Sequence, residues 1–108
     1  MKTVFYDRHE RLRYLKACEI ARRIVRDPRQ IEQARRFVEE AMAPDPHQST
    51  YTAMWREILS LPAQDIAAAL IEDSEKGQLL RDTSPVFGDG FTSQEVVALL
   101  DRDRASPS

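Results

Sequence analysis

The chain has 108 residues, of which 42% are apolar and 31% are charged, and its net charge is -2 at pH 7. This composition supplies one modest hydrophobic core, and with only 3 Gly and 6 Pro it excludes a fibrous or disordered chain. The sequence contains neither a stretch of roughly 18 apolar residues nor the apolar core of a signal peptide, so we expect a cytoplasmic protein without a membrane partner. We predict a single helical domain over residues 1–100 and a flexible tail over residues 101–108.

The first predicted element is a long helix over residues 7–26, preceded by a short extended arm over residues 3–6. The helical segment contains no Gly or Pro and is rich in helix formers. At about 100° per residue, its apolar side chains share one broad face, which we expect to be buried. These residues are Tyr14, Ala17, Cys18, Ala21, Ile24 and Val25. Four arginines gather on the opposite face, which we call the basic face: Arg8, Arg11, Arg22 and Arg26.

Two leucines, Leu12 and Leu15, also fall on the basic face. A partner that buried both would gain roughly 3 to 6 kcal/mol of hydrophobic free energy before the costs of association. The alternatives are that the first helix is packed on both faces, or that the arm covers the leucines. Residues 1–50 carry 11 Lys/Arg against 8 Asp/Glu, while residues 51–108 carry 5 against 10. We therefore predict that the arginines and leucines of the basic face contact an acidic protein or, in a second hypothesis, a nucleic acid.

Five more helices are predicted, and each begins at a capping side chain or a proline. They cover residues 28–42, about ten residues after Ser49 or Thr50, residues 63–71, residues 75–81 after a cap at Asp73 or Ser74, and residues from Thr92 to about Leu100. Thr92 and Glu95 have the spacing of a capping box, in which each side chain bonds the backbone N–H of the other residue. The predicted fold class is therefore all-α: a compact bundle of five or six short-to-medium helices.

The stretch GQLLRDTSPVFG, residues 77–88, ends the fifth helix in a polar turn that Pro85 prevents from continuing as a helix. We expect Phe87 to hold this loop against the core beside a buried Trp55, because one Trp fills much of a small core. Arg81 is the one charge tied to that rigid turn. It is our candidate for a partner contact in this stretch.

Catalytic and metal-binding groups are scarce. The two histidines, His9 and His47, stand far apart, and the single Cys18 falls on the apolar face of the first helix, where we expect it to pack rather than react. The Gly-Asp-Gly turn at residues 88–90 lacks the lysine and the preceding strand of a phosphate-binding loop. We therefore predict a protein that is not an enzyme and has no metal site and no cofactor.

DNA binding is the alternative function, and two patterns bear on it. The basic face of the first helix is the better candidate for a DNA-binding surface, and the chain would then be a transcriptional regulator. Residues 63–82 also have the length of a helix-turn-helix, but Ile71 replaces the small residue of the turn. The second helix of that motif is nearly neutral, whereas the approach to phosphates demands positive charge.

Residues 55–87, WREILSLPAQDIAAALIEDSEKGQLLRDTSPVF, resemble a pattern in small bacterial helical proteins that are encoded beside a second small gene, in the manner of toxin–antitoxin pairs. The shared features are a Trp followed by an aliphatic pair, a Pro-started helix, an acidic turn, Leu-Arg, and a Pro before Phe. This chain departs from the pattern with Val86 between Pro85 and Phe87. The resemblance implies an antitoxin-like protein that neutralises a cognate partner. We expect that protein partner to be the product of a neighbouring gene or a second copy of this chain.

Overall fold

A computed structural model describes residues 4–5 and 7–105 of the chain. This part is all-α, as predicted, with six α-helices and no strand among the described residues. The helices are α1 (Arg8–Arg26), α2 (Arg29–Phe37), α3 (Ser49–Leu59), α4 (Ala63–Leu70), α5 (Glu75–Asp82) and α6 (Ser93–Ala105). Within those ranges, none of the helices has the length and apolar character that crossing a membrane requires.

Two of the predicted caps form at the starts of α5 and α6. The backbone N–H of Thr92 donates to Glu95 Oε1, and the N–H of Glu95 donates to Thr92 Oγ1, both at 3.1 Å. At the start of α5, Ser74 Oγ accepts from the N–H of Gly77 at 3.0 Å. Because each of these bonds joins residues three positions apart, the local sequence is sufficient to predict it.

The second helix differs from the prediction in its last turn. The predicted range 28–42 is helical nearly throughout, but Val38–Met42 is a π-helical segment that continues α2. The N–H of Ala43 donates to Val38 O, five residues back, at 2.8 Å. Val38 and Met42 are both buried, so the wider turn still presents apolar side chains to the core. A short 3-10 turn, Pro46–Gln48, then leads into α3.

The last helix is longer than predicted. α6 continues through Ala105, so the first five residues of the predicted tail are helical, and residues 106–108 lie outside the described part. Ion pairs hold its last turns to α1: Asp103 pairs with Arg11, and Arg102 lies 3.8 Å from Glu19. These contacts span most of the chain, which is why local sequence patterns missed the true end of the helix.

α1 lies at the centre of the bundle and packs against α2, α4, α5 and α6. Its predicted apolar face is largely buried, with Ala17, Ala21 and Ile24 inside the core. Two residues of that face are less buried than predicted: Cys18 is half-buried, and Val25 is 43% exposed. One end of the predicted apolar face is therefore left uncovered by the rest of the bundle.

The predicted N-terminal arm is described only at Val4 and Phe5, since residues 3 and 6 lie outside the described part. The ring of Phe5 lies 5.5 Å from the ring of Tyr14, while Val4 is exposed. Phe5 therefore lies over α1 on the side of Tyr14.

Trp55 lies at the centre of the core and is 0% exposed. Its ring meets the ring of Phe87 edge-on, with 6.3 Å between the ring centres. The indole Nε1 donates to Thr83 Oγ1 at 3.0 Å, so the polar turn after α5 also satisfies the buried N–H. The prediction that Phe87 holds the loop against the core beside a buried Trp55 is confirmed.

Candidate functional site

The four arginines of the basic face are exposed along α1: Arg8, Arg11, Arg22 and Arg26. Two of them are held in ion pairs, Arg11 with Asp103 and Arg22 with Glu19. Within the described part of the chain, Arg8 and Arg26 have no ion pair. Half of the predicted positive charge is thus neutralised inside the molecule.

Leu12 and Leu15 are half-buried, and α6 packs against the same helix, α1. Ion pairs join α6 to α1 near both ends of α1, from Asp103 to Arg11 on the basic face and from Glu95 to Arg23 beside it. Along α1, Leu12 and Leu15 lie between the two arginines of these ion pairs. Of the alternatives that the sequence leaves open, packing of α1 on both faces accounts for both leucines without a partner.

An open groove of about 870 Å³ runs beside α6, between α1 and the turn after α4. We call it the α1/α6 groove. Cys18, Ala21, Val25 and Ile71 contribute apolar surface to it. Three arginines also line it: Arg22, Arg26 and Arg102. Because Val25 is 43% exposed and Ile71 is 37% exposed, the groove presents apolar surface to solvent alongside these positive charges.

Glu19 organises the arginines at one side of this groove. Its carboxylate pairs with Arg22 and with Arg23, and Arg102 lies 3.8 Å away. Partial burial by itself raises the pKa of Glu19, but hydrogen bonds and charge from Arg22, and then from Arg23, outweigh it and leave the pKa below its ordinary value. Glu19 is therefore ionised at neutral pH, and it is the only carboxylate among the described residues that line the groove.

The contacts of Glu19 and Glu95 predict that acid destabilises the fold. The backbone N–H of Thr92 and the guanidinium of Arg23 lower the pKa of Glu95, and the pKa of Glu19 is lowered as well. An unfolded chain binds these protons at a higher pH, so the stabilisation is complete above about pH 4.3 and is lost as the pH falls through the lower folded values. Urea unfolding between about pH 3 and pH 7 measures this loss. The variant Glu95→Gln should flatten the pH dependence, and an unchanged slope would contradict the assignment.

Cys18 lies in the groove and is half-buried there. Burial raises the pKa of its thiol, an effect that outweighs a hydrogen bond from Tyr14 and the charge of Arg22. The thiol is therefore protonated at neutral pH, unlike that of a reactive cysteine. Among residues 4–5 and 7–105, no three His, Cys, Asp or Glu side chains gather as a set of metal ligands.

Arg81, predicted as a partner contact, is instead buried, with 6% of its surface exposed. Its Nη1 donates to the backbone oxygen of Leu70, the last residue of α4, at 3.0 Å and to that of Glu72, in the turn after α4, at 2.9 Å. The guanidinium carbon lies 5.2 Å from the centre of the Tyr14 ring. Arg81 therefore joins α5 to the last carbonyl of α4, to the turn that follows it and to α1, a role that depends on tertiary contacts and leaves no local signal in the sequence.

The comparisons with known proteins add no relative. No protein-family model matches this chain, and neither a curated protein nor a solved structure matches it. The α1/α6 groove is the candidate binding site, because it combines exposed apolar side chains with three arginines.

Proposed function

We propose that this chain is a cytoplasmic, non-enzymatic protein that binds a second protein through the α1/α6 groove, in the manner of an antitoxin that neutralises its toxin. The observation that carries the proposal is the exposure of Val25 and Ile71 in a groove that three arginines also line. An amphipathic acidic segment of a partner would cover the apolar surface and pair with the positive charge. Such a segment is the occupant that this groove fits.

Charge favours a different protein over a second copy of this chain. In a symmetric dimer the same patch would face itself, so the arginines of one groove would oppose those of the other. The groove carries Arg22, Arg26 and Arg102 against the single carboxylate of Glu19. Like charges across an interface oppose association, whereas an acidic partner is attracted.

The resemblance of residues 55–87 to antitoxin-like proteins supports the same choice of partner. Proteins of that kind act on the product of an adjacent gene, so the protein encoded beside this one is the first partner to test. The role requires no catalytic group, and the raised pKa of Cys18 agrees with that.

The proposal is tested by co-expressing the chain with the product of the neighbouring gene and measuring the affinity of the purified pair by calorimetry. Arg26→Glu reverses one charge in the groove, and Arg36→Glu reverses one exposed charge on α2 outside it. Neither arginine has an ion pair within the described residues, so the two variants are matched. We expect Arg26→Glu to weaken binding by about tenfold or more, and Arg36→Glu by less than about twofold.

Two results would overturn the proposal. One is the absence of a complex on co-expression together with a monomeric mass by light scattering. The other is an equal effect of Arg26→Glu and Arg36→Glu, because the groove would then have no special role in binding.

DNA binding by the basic face is the second candidate function, and the row of exposed arginines favours it. Ion pairs to Asp103 and Glu19 occupy two of the four arginines, which leaves Arg8 and Arg26. Specific DNA-binding proteins make about 6 to 10 phosphate contacts, so the remaining charge supports only weak, salt-sensitive binding. Absence of duplex binding at low salt, or binding unchanged in the double variant Arg22→Ala/Arg26→Ala, excludes this candidate.

A further inference from the structure

A second cleft, of about 280 Å³, opens on the other side of α1. We call it the loop cleft, because the loop of residues 84–91 forms one of its walls. Ile20, Leu70, Phe87 and Phe91 contribute its apolar surface. Three cationic side chains line it as well: Arg13, Lys16 and Arg81. None of the described residues that line the cleft is an Asp or a Glu.

The positive charge of the loop cleft is only partly compensated. Arg13 pairs with Asp82 at 3.0 Å. Lys16 has no carboxylate partner within the described residues, and its Nζ lies 5.9 Å from the centre of the Phe91 ring. Arg81 donates Nη1 to two carbonyls, but its buried Nε and Nη2 have no hydrogen-bond partner among the described residues. A buried cation without a counter-ion is costly, and an anion bound in the cleft would reduce that cost.

The wall of the cleft is held in place by contacts to the core and to α1. Phe87 is 3% exposed and packs against Trp55. The guanidinium of Arg23 lies 4.8 Å from the centre of the Phe91 ring, and its Nη1 donates to Gly90 O at 3.4 Å. The cleft is therefore formed before a ligand arrives, which lowers the entropic cost of binding.

We propose that the loop cleft binds a small organic carboxylate with an apolar body, its carboxylate at Lys16 and its body lying on Ile20 and Phe91, while the buried guanidinium of Arg81 attracts the carboxylate through its charge. This ligand class follows from the lining of the cleft, which combines cationic and apolar side chains. Inorganic phosphate would leave the apolar wall in contact with water, and an uncharged apolar molecule would leave the cations without a counter-ion. The small volume suits a ligand of a few carbon atoms rather than a peptide helix. This site is separate from the α1/α6 groove and does not depend on its function.

The ligand class is tested by titrating the protein with hexanoate, 1-hexanol and inorganic phosphate while recording amide NMR spectra. We expect saturable shifts with hexanoate, centred on loop residues such as Val86 and Gly90. Binding of hexanol and of phosphate should each be at least about tenfold weaker. Equal affinity for hexanol, or for phosphate, overturns the proposal, because the charge or the apolar wall would then contribute nothing. No saturation with hexanoate up to about 10 mM overturns it too.

The location is tested with two matched lysine variants. Lys16→Met removes one positive charge from the cleft, and Lys76→Met removes one from an exposed position of α5 outside it. We expect hexanoate binding to weaken by about tenfold in Lys16→Met and by less than about twofold in Lys76→Met, with Lys16→Arg close to the unaltered chain. Amide spectra without ligand verify that each variant is folded. Equal weakening in the two Met variants would show that the carboxylate binds elsewhere.

Discussion

Replacing Trp55 by Ala is expected to lower the free energy of unfolding by about 3 to 5 kcal/mol, the usual cost of removing a fully buried aromatic side chain. Trp55 is 0% exposed, contacts the ring of Phe87, and donates its N–H to Thr83. The substitution therefore opens a cavity at the centre of the core and releases the loop that Phe87 holds. For a domain of this size each kcal/mol lowers the melting temperature by roughly 4 to 8 °C, which calorimetry or circular dichroism measures.

The variant Trp55→Phe separates the contribution of the buried apolar volume from that of the N–H hydrogen bond. It keeps most of the apolar volume but removes the N–H donor, while the hydroxyl of Thr83 retains its own bond to Leu79 O at 2.8 Å. We expect a smaller loss than for Trp55→Ala. A change below about 1 kcal/mol in Trp55→Ala would contradict the central position assigned to this side chain.

Replacing Gly77 by Ala is expected to destabilise the protein, although the same change usually stabilises a helix by up to about 1 kcal/mol. A methyl group on Gly77 would lie 2.9 Å from the carbonyl carbon of Glu72 and nearer still to its oxygen. That oxygen also accepts the hydrogen bond from Arg81 Nη1. The turn between α4 and α5 would have to shift, and we expect a loss of about 1 to 3 kcal/mol in urea unfolding.

Lys76→Ala is the control for Gly77→Ala, because Lys76 is the adjacent residue of the same helix and is exposed. We expect it to change the free energy of unfolding by no more than about 0.5 kcal/mol. If Gly77→Ala were instead more stable than the unaltered chain, the close approach of Glu72 to Gly77 would be wrong. The hydrogen bond from Arg81 Nη1 to the same oxygen of Glu72 would then be wrong as well.

Local signals were sufficient for most of the fold. The capping box of Thr92 and Glu95 and the Ser74 cap form as predicted, and the helix ranges agree closely except in the last turns of α2 and α6. These features depend on residues three or four positions apart, where spacing along the chain equals proximity in space. The buried Trp55 followed from the same kind of reasoning, since its apolar neighbours recur at helical spacing.

The candidate sites were less predictable. The basic face of α1 includes Arg22 and Arg26, which do line the α1/α6 groove, but Val25 and Ile71 complete that groove only because α1 and the turn after α4 meet there. The cations of the loop cleft come from α1 and α5, and no motif joins Lys16 to Arg81 in the sequence. Partner binding, and the antitoxin-like role that the resemblance implies, stay predictions until the neighbouring gene product is tested.

Caps, prolines and side-chain periodicity act within a few residues, so they were enough to predict which segments are helical and which side of most helices is apolar. Which charges remain exposed depends instead on how the helices pack against one another. Arg81 is buried and donates to the carbonyl of Glu72, 9 residues away in the chain. Arg11 is paired with the carboxylate of Asp103, 92 residues away. The physical reason is that burial and ion pairing depend on distance in space, which the helix packing sets and local sequence patterns do not encode.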